Sequence, residues 1–257
     1  EQALKEFLKK TGILYLDTQD SRGLLELDHE SNVYAARSKV MAETDLVILL
    51  GRKLDYQLAY GSPAIFNKAS FIRISDIPYE LVDNRRGDPE IYANPKVVLE
   101  EVNSRELKVD FDKNWISEIK SYHSKKIEKS QRLKQKALGD DSKIHPSFIF
   151  NCINNLISKN FVGIADGGDI LSFARVGLNS KYYLDSGVFG CLGVGIPYAI
   201  VASEIHKNIP VICVIGDGSF GFNAMELDTA VRNKSNICII ISNNAAWNIE
   251  THDHKLN

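Results

Sequence analysis

The sequence predicts an α/β protein with two doubly wound parallel-sheet domains, and two observations support this fold class. Short apolar runs alternate with helical segments along most of the chain, which is typical of parallel sheets joined by crossover helices. A lysine-rich, charged stretch at residues 110–143 separates two such regions. We therefore expect an α/β domain at residues 1–108, a charged helical linker at 109–142 and a second α/β domain at 143–257. The chain lacks an initial methionine, and we expect both domains to be incomplete.

The first domain is expected to alternate between helix and strand. Its hydrophobic pattern predicts helices at residues 3–10 and 33–43 and strands at 13–16, 45–50 and 70–74. The strand DLVILL has the composition of a buried parallel strand and ends at Gly51 and Arg52. Further on, Arg73, Arg85 and Arg86 are consistent either with a solvated surface or with contacts to an acyl-CoA phosphate.

The linker is expected to be largely one polar helix that ends at residues 139–142. Its lysines are interleaved with acidic residues such as Asp112, Glu118 and Glu128, so no basic face dominates. The net charge of the whole chain is -2. Both observations exclude nucleic acid as the main partner.

The second domain is expected to open with a helix at 148–157 and a strand at 161–165. That strand ends in Asp166, Gly167, Gly168 and Asp169, where glycine permits close approach of the backbone to a ligand. Four glycines follow in a loop, at positions 187, 190, 193 and 195, and the next helix is expected to start near Pro197. Such a loop cannot pack in the ordinary way, and we expect a flat group to approach it.

The stretch from 211 to 247 carries the most specific pattern. It predicts a buried strand at 211–215, a turn at Gly216, Asp217 and Gly218, a helix at 223–232 and a second strand at 237–241. The helix runs back across the sheet for about 15 Å, and the second strand runs forward for about 17 Å, so the two lengths nearly cancel. Asn243 and Asn244 should therefore return to the sheet edge that holds Asp217, where open α/β sheets bind ligands.

This edge offers the groups that a magnesium diphosphate site needs. Asp217 supplies charge and Asn244 a carbonyl oxygen, which are ligand types that Mg²⁺ accepts together with phosphate oxygens and water. Gly218 permits close approach of a phosphate, and Ser219 can hydrogen-bond to it. The alternative is an ordinary strand–turn–helix unit in which the asparagines only form a turn. The chain has no GxxxxGK[ST] loop, so that phosphate motif is not indicated.

The GDG turn, with the second asparagine of an NN pair 27 positions after its aspartate, resembles the thiamine diphosphate signature of the pyruvate decarboxylase and acetolactate synthase superfamily. The resemblance implies that Asp217, Asn244 and the backbone carbonyl of Ala246 bind the metal. It also implies that the loop at 166–169 contacts the diphosphate, through its backbone because the carboxylates of Asp166 and Asp169 repel an anion. Thiamine diphosphate and Mg²⁺ are the cofactors implied.

The glycine loop at 187–195 resembles the GxxGxMG segment of the same superfamily. There a bulky apolar side chain separates the two rings of the cofactor, and Leu192 occupies its position. The resemblance implies that the Gly190 carbonyl accepts a hydrogen bond from the 4'-amino group. The alternative is that Leu192 belongs to the ordinary core.

The first domain resembles the central domain of the superfamily, in which a strand ends in GxRxD. Gly51, Arg52 and Asp55 carry this match. Some relatives hold FAD or the ADP part of coenzyme A in this domain and others hold nothing. The alternative for Arg52 and Asp55 is an ion pair with each other or with nearby loops.

The resemblance implies an enzyme that forms or cleaves carbon–carbon bonds of 2-keto or 2-hydroxy acids. Acetolactate synthase-like chemistry is the first expectation, and a 2-hydroxyacyl-CoA lyase or an oxalyl-CoA decarboxylase-like enzyme is the second. The activating glutamate of the superfamily lies in an amino-terminal domain that this chain does not contain, so we expect the chain alone to be inactive. The intact enzyme is expected to be a homodimer or homotetramer. The alternative from another class is a cofactor-binding α/β protein without catalysis.

Composition sets the remaining expectations. With 44% apolar and 25% charged residues, the chain is expected to be globular. Four cysteines lie far apart with no CxxC pair, and we expect buried thiols in a reducing compartment. There is no stretch of transmembrane length and no signal peptide, so we expect a cytoplasmic protein without membrane contacts.

Overall fold

The computed structural model describes residues 1–18, 21–134 and 143–250. The chain forms two compact units, of which unit 1 comprises Glu1–Leu16 and Asp28–Ile127, and unit 2 comprises Asp17–Leu27 and the chain from Glu128 onward. The domain limits expected at residues 108 and 142 stay predictions. The predicted end of the linker at 139–142 lies outside the described residues.

Unit 1 contains a three-stranded parallel sheet in the order β1-β2-β3. Its strands are β1 (Leu46–Leu50), β2 (Ser70–Ser75) and β3 (Glu90–Tyr92). The α-helices are α1 (Gln2–Thr11), α2 (Arg37–Glu43), α3 (Pro78–Val82), α4 (Pro95–Ser104) and α5 (Lys113–Lys134), the last of which extends past the end of unit 1. Short 3-10 segments occur at Tyr34–Ala36 and Tyr56–Gly61. Side chains from β1, β2 and α2, among them Leu49, Phe71 and Met41, form a buried apolar cluster.

Two predictions for this region need correction. Residues 13–16 do not form a strand, because only Tyr15 makes an isolated bridge, to Asn32. The helix expected at 33–43 is shorter, since Tyr34–Ala36 is a 3-10 segment and the α-helix begins at Arg37. The physical reason is that Val33 and Ala36 are buried beside Ile119 of α5, so tertiary packing sets the backbone there.

Unit 2 contains a four-stranded parallel sheet in the order β5-β4-β6-β7. Its strands are β4 (Val162–Asp166), β5 (Tyr182–Leu184), β6 (Val211–Gly216) and β7 (Ile237–Ser242). The helices are α6 (Pro146–Leu156), α7 (Asp169–Gly177), α8 (Gly195–Ile205), α9 (Asp217–Asn223) and α10 (Glu226–Arg232), and a 3-10 segment lies at Gly187–Phe189.

Helices cover both faces of this second sheet. Along β6, Ile212 and Val214 point into one buried cluster and Val211, Cys213 and Ile215 into another, because successive strand residues face opposite sides. The first cluster includes residues of α6 and α7, and the second includes residues of α8 and α10. The predicted class, α/β with two parallel-sheet domains, is confirmed.

The crossover after β6 differs from the prediction. A single helix was expected at 223–232, but the chain enters α9 directly at Asp217 and continues as α10 from Glu226. Ala224 and Met225 join the two helices without leaving the helical region of backbone conformation. The helical pattern in the sequence therefore underestimated how early the helix starts, because glycines mask its first turn.

The four cysteines are free thiols, but their burial differs from the expectation. Cys213 is buried in β6, whereas Cys191 and Cys238 are exposed. The expectation of buried thiols is therefore wrong for these two. Among the described residues no helix is long and apolar enough to cross a membrane.

Candidate functional site

The predicted site residues of unit 2 lie at the carboxyl edge of its sheet. Asp166 ends β4, Asp217 follows β6, and Asn244 lies just after β7. These three strands are neighbours, with Asp166 paired to Ile215 and Gly216 paired to Ser242. The parallel arrangement therefore brings three polar residues, far apart in sequence, to one edge.

Asp217 and Asn244 adjoin each other at this edge. The backbone nitrogen of Asn244 lies 3.5 Å from Asp217 Oδ1. The Asn244 side chain accepts a hydrogen bond from the Ala246 nitrogen at 3.1 Å, and Ala245 between them has a positive φ of 56°. The tight turn after β7 thus holds the Asn244 amide, the Ala246 backbone and the Asp217 carboxylate close together.

The donor set fits a hard divalent cation. Among the described residues no group of three or more histidine, cysteine, aspartate or glutamate side chains is placed to hold a metal. A cation here would instead be held by one carboxylate, one carboxamide oxygen and the backbone carbonyl of Ala246. These are oxygen ligands of the kind that Mg²⁺ takes together with phosphate and water.

The two glycine turns approach each other closely. Gly167 has a φ of 132°, and a Cβ added to it would lie 3.3 Å from the nitrogen of Gly216. Glycine at 167 is therefore required both by its backbone conformation and by the neighbouring turn. The backbones of the two turns therefore lie side by side, with Gly167 buried and Gly216 half-buried.

The side chain of Asp166 faces the protein interior. It is fully buried, and its Oδ2 accepts a hydrogen bond from the Gly195 nitrogen at 2.7 Å. Burial raises the pKa of the Asp166 carboxyl, while this bond and weaker contributions from Gly193, Ser219 and Gly167 act in the opposite direction. The carboxylate thus connects β4 to the glycine loop and to α9, and any contact of Asp166 with a cofactor would involve its backbone.

The glycine loop is held at both ends and exposed at its tip. At its start, Asp185 accepts hydrogen bonds from Arg175 Nε at 2.9 Å and from the Gly187 nitrogen at 2.8 Å. At its end, Asn223 Nδ2 donates to the Gly193 carbonyl at 2.7 Å. Sequence reasoning missed these anchors, although an aspartate two residues before a glycine is a recognised turn signal.

Gly190 and Leu192 lie between these anchors. Gly190 has a φ of 63° and is exposed, and a Cβ at this position would meet nothing within 4 Å. Leu192 is half-buried and belongs to neither of the two buried clusters of unit 2 described above. Both positions are therefore presented on a braced loop near the sheet edge.

The arginines of unit 1 have internal partners. Arg52 forms two hydrogen bonds with Asp55, at 2.9 and 2.8 Å, as the ion-pair alternative expected. Arg85 donates to the carbonyls of Gly61, Phe66 and Ala69. These contacts stabilise loops around β2.

A solvated surface is the wrong description for two of the three further arginines. Arg73 is 1% exposed and donates to the carbonyls of Glu80, Asp83 and Arg85. Arg86 is exposed and pairs with Glu90. Arg73 and Arg85 therefore have structural roles that neither sequence alternative described.

A parallel α/β unit with glycine turns and oxygen donors at one sheet edge is typical of cofactor-binding enzymes. Comparison with known families identifies which family of these enzymes the chain belongs to. The chain belongs to the thiamine pyrophosphate enzymes: residues 166–257 match the C-terminal TPP binding domain, and residues 1–102 match the central domain of that family. This confirms the resemblance inferred from the GDG and NN motifs.

Similar proteins within this family carry several activities in their names. The chain is 29% identical over 261 residues to the acetolactate synthase large subunit of Mycobacterium tuberculosis, covering 98% of this chain and 46% of that protein. It is 29% identical to a 2-hydroxyacyl-CoA lyase of Arabidopsis thaliana, covering 95% and 44%. An oxalyl-CoA decarboxylase of Escherichia coli is 28% identical, with the same coverage. The chain thus spans less than half the length of these relatives.

Proposed function

We propose that the intact protein is a thiamine diphosphate- and Mg²⁺-dependent enzyme that forms or cleaves carbon–carbon bonds of 2-keto or 2-hydroxy acids. The observation that carries this proposal is the position of Asp217 beside Asn244, at the sheet edge of a domain that matches the TPP binding family. A carboxylate and a carboxamide that adjoin at such an edge can bind one cation together.

The proposed roles follow from position. Asp217, Asn244 and the Ala246 carbonyl bind Mg²⁺. The diphosphate is bound by backbone groups of the turns, from Asp166, Gly167, Gly168, Asp169, Gly216, Gly218 and Ser219; the Ser219 hydroxyl is buried on the Asp166 carboxyl, so Ser219 takes part through its backbone as well. The carboxylates of Asp166 and Asp169 already have partners, Gly195 and Asn248, and this supports backbone contacts at both positions.

Bound thiamine diphosphate supplies an electron sink for cleavage of a bond next to a carbonyl group. The protein's part is to position it. Gly190 offers its carbonyl as an acceptor for the cofactor's amino group, and Leu192 supports the rings from the glycine loop. The anchors at Asp185 and Asn223 fix that loop, and such fixed orientation lowers the entropy lost on reaching a reactive geometry.

The substrate class has two candidates. Acetolactate synthase-like carboligation is proposed first, because such a protein matches 98% of the chain. The second is a 2-hydroxyacyl-CoA lyase or an oxalyl-CoA decarboxylase-like enzyme, since proteins with these names match nearly as much of the chain. Incubation of the intact enzyme with pyruvate, with formaldehyde and an acyl-CoA, or with oxalyl-CoA, followed by product analysis, distinguishes these reactions.

We further propose that the intact enzyme is a cytoplasmic homodimer or homotetramer. Helix α8 is apolar on all sides, which is typical of a buried helix. Its Val201 and Ile205, and Met225 and Val231 on and beside α10, are more than half exposed. Contact with a second copy would remove this apolar surface from water. Catalysis would also need a glutamate from outside this chain, so the 257 residues alone should be inactive.

Isothermal titration calorimetry with thiamine diphosphate, with and without Mg²⁺, tests the proposal. Wild type should bind only with Mg²⁺, and D217A and N244A should each lose more than about 100-fold in affinity, since even groups outside the ligand set change metal affinity about 10–100-fold. D228A, an exposed aspartate of α10, is the matched control and should bind normally. Binding that ignores Mg²⁺, or that survives both substitutions, would favour a cofactor-binding protein without this chemistry.

A further inference from the structure

Residues 247–249, which follow the proposed metal ligands, lie against both glycine turns of the site; we refer to them as the strap. The Trp247 indole covers Gly218: a Cβ added at Gly218 would lie 2.5 Å from the indole Nε1 and 2.8 Å from Cδ1. These distances are far below van der Waals contact. No side chain larger than hydrogen fits at 218 while the indole keeps this position.

Ile249 covers the other turn in the same way. A Cβ added at Gly168 would lie 2.9 Å from Ile249 Cδ1 and 3.2 Å from Cγ1. Between the two apolar residues, Asn248 Nδ2 donates a hydrogen bond to Asp169 Oδ2. Three consecutive residues of the strap therefore contact the turn after β4 and the turn after β6.

Backbone conformation does not require glycine at 218. Gly218 lies within α9, so it adopts a conformation open to any residue. This distinguishes Gly218 from Gly167, whose φ of 132° favours glycine. While Trp247 keeps its position, the contact with the indole is therefore what excludes a larger side chain at 218.

The indole is also held from the side. The rings of Trp247 and Phe222 lie 5.9 Å apart at 35°, and a Cβ added at Gly193 would lie 2.7 Å from Phe222 Cβ. Phe222 thus connects the strap to the end of the glycine loop that carries Leu192. Trp247 and Phe222 therefore pack the strap, the turn after β6 and the end of the glycine loop against one another.

We propose that the strap is a positioning element: Trp247 and Ile249 hold the two glycine turns at the spacing that lets backbone N–H groups of both turns bind one diphosphate. The inference rests on the proposed function, because it concerns the same diphosphate. Trp247 acts through Gly218 and the turn, and not by direct contact with reacting atoms.

A double-mutant cycle on the intact protein tests the strap, with affinity for thiamine diphosphate and Mg²⁺ measured by calorimetry. W247A and G218A should each weaken binding about tenfold or more, because each disturbs the same contact. The double variant G218A/W247A should bind no worse than W247A alone, since the alanine methyl then occupies space that the indole has left. Such non-additivity is expected for residues in contact. G221A, at a glycine of α9 with nothing within 4 Å, is the matched control and should bind like wild type.

Three outcomes would overturn the inference. If G218A weakens binding equally in wild type and in W247A, phosphate approach and not the indole requires glycine at 218. If W247A binds as tightly as wild type, Trp247 does not position the turn. If wild type itself binds no thiamine diphosphate, the proposed function fails first, which calorimetry on wild type alone reveals. The pair G168A and I249A repeats the cycle should W247A fail to fold.

Fluorescence provides a readout independent of activity. The difference in emission between wild type and W247F isolates Trp247 from the other tryptophans of the protein. Titration with thiamine diphosphate and Mg²⁺ should change this difference signal with the same dissociation constant as calorimetry. A saturating titration that leaves the signal unchanged would contradict the strap while leaving the proposed function intact.

Discussion

Asp166 Oδ2 accepts a hydrogen bond from the backbone nitrogen of Gly195, 29 residues further along the chain, at 2.7 Å. The contact is buried, and a Cβ at Gly195 would lie 2.9 Å from the Cβ of Asp166. It therefore fixes the start of α8, and the glycine loop before it, to the end of β4. The precision of the proposed site depends on this internal carboxylate, which needs no contact with the cofactor.

Replacing Asp166 with alanine should destabilise unit 2. The substitution removes the carboxylate and leaves the buried Gly195 N–H without its acceptor. Such a loss costs about 1–3 kcal/mol. Urea unfolding of D166A should show a decrease of at least this size, whereas D228A, at an exposed aspartate, should change stability by less than about 0.5 kcal/mol. Equal stability of D166A and wild type would mean that the Gly195 contact contributes nothing.

Protonation of His123 should destabilise unit 1 at mildly acidic pH. His123 Nδ1 accepts a hydrogen bond from the Ala35 nitrogen at 3.2 Å, and its ring packs edge-on against Tyr34. Burial lowers the pKa of His123 below 6.5. The unfolded chain then binds the proton more readily, so the stability contribution is present above pH 6.5 and is lost as pH falls through the folded-state pKa.

Chemical unfolding between pH 7.5 and pH 5 measures this effect. Wild type should lose more stability over this range than H123N, which has no titrating ring. Parallel pH dependence in the two proteins would show that His123 does not contribute.

Arg85 should be far more important for stability than its neighbour Arg86. Arg85 donates to three backbone carbonyls and lies over the ring of Phe71, with 4.7 Å from Cζ to the ring centroid. R85A leaves these carbonyls without partners and should destabilise unit 1 by roughly 3 kcal/mol or more.

R86A provides the comparison for R85A, because the Arg86 side chain is 71% exposed in its pair with Glu90. Removing an exposed ion pair should change stability by less than about 1 kcal/mol. Thermal unfolding of both variants measures the difference. Equal melting temperatures would contradict the structural role assigned to Arg85 and would reopen a ligand role for it.

The cysteines should differ strongly in reactivity. Burial raises the pKa of the Cys213 thiol to about 12, whereas Cys191 and Cys238 are exposed. Since the thiolate is the reactive form, iodoacetamide at pH 8 should modify Cys191 and Cys238 and leave Cys213 unmodified in the native protein. Peptide mass spectrometry reads out each site, and full modification in denaturant is the control. Fast native alkylation of Cys213 would contradict its burial.

Strands β1, β2, β4, β6 and β7 were predictable because each is a short apolar run next to a polar turn, whereas the three-residue strands β3 and β5 are too short to give such a pattern. Residues 211–215 and 237–241 agree with β6 and β7 to within one residue at their ends. The adjacency of Asp217 and Asn244 also followed from sequence, since helix and strand lengths alone return the chain to the same edge. A local sequence pattern is therefore sufficient to place a residue when the lengths of the neighbouring helix and strand alone determine its position.

Tertiary partners explain what the sequence could not reveal. Arg73 and Arg85 resemble surface residues in sequence, but Arg73 is buried and Arg85 half-buried, and both donate to backbone carbonyls of loops elsewhere in the chain. The Asp166 carboxylate was not expected to contact the ligand, and nothing in the sequence indicated that its partner is the Gly195 nitrogen. The contacts of Trp247 with Gly218 and of Ile249 with Gly168 depend on how the turn after β7 folds back, which no local pattern specifies.

Among the residues that the structure describes, strand β7 stands at the end of the strand order of its sheet, and its residues are apolar on both faces. Its Ile241 is 44% exposed, and Cys238 is exposed as well. A strand of this kind is a template for wrong pairing with identical chains. Refolding of the 257-residue chain at high concentration should therefore divert molecules into aggregates, and dilution or a charged substitution at position 241 should improve the recovery of native protein.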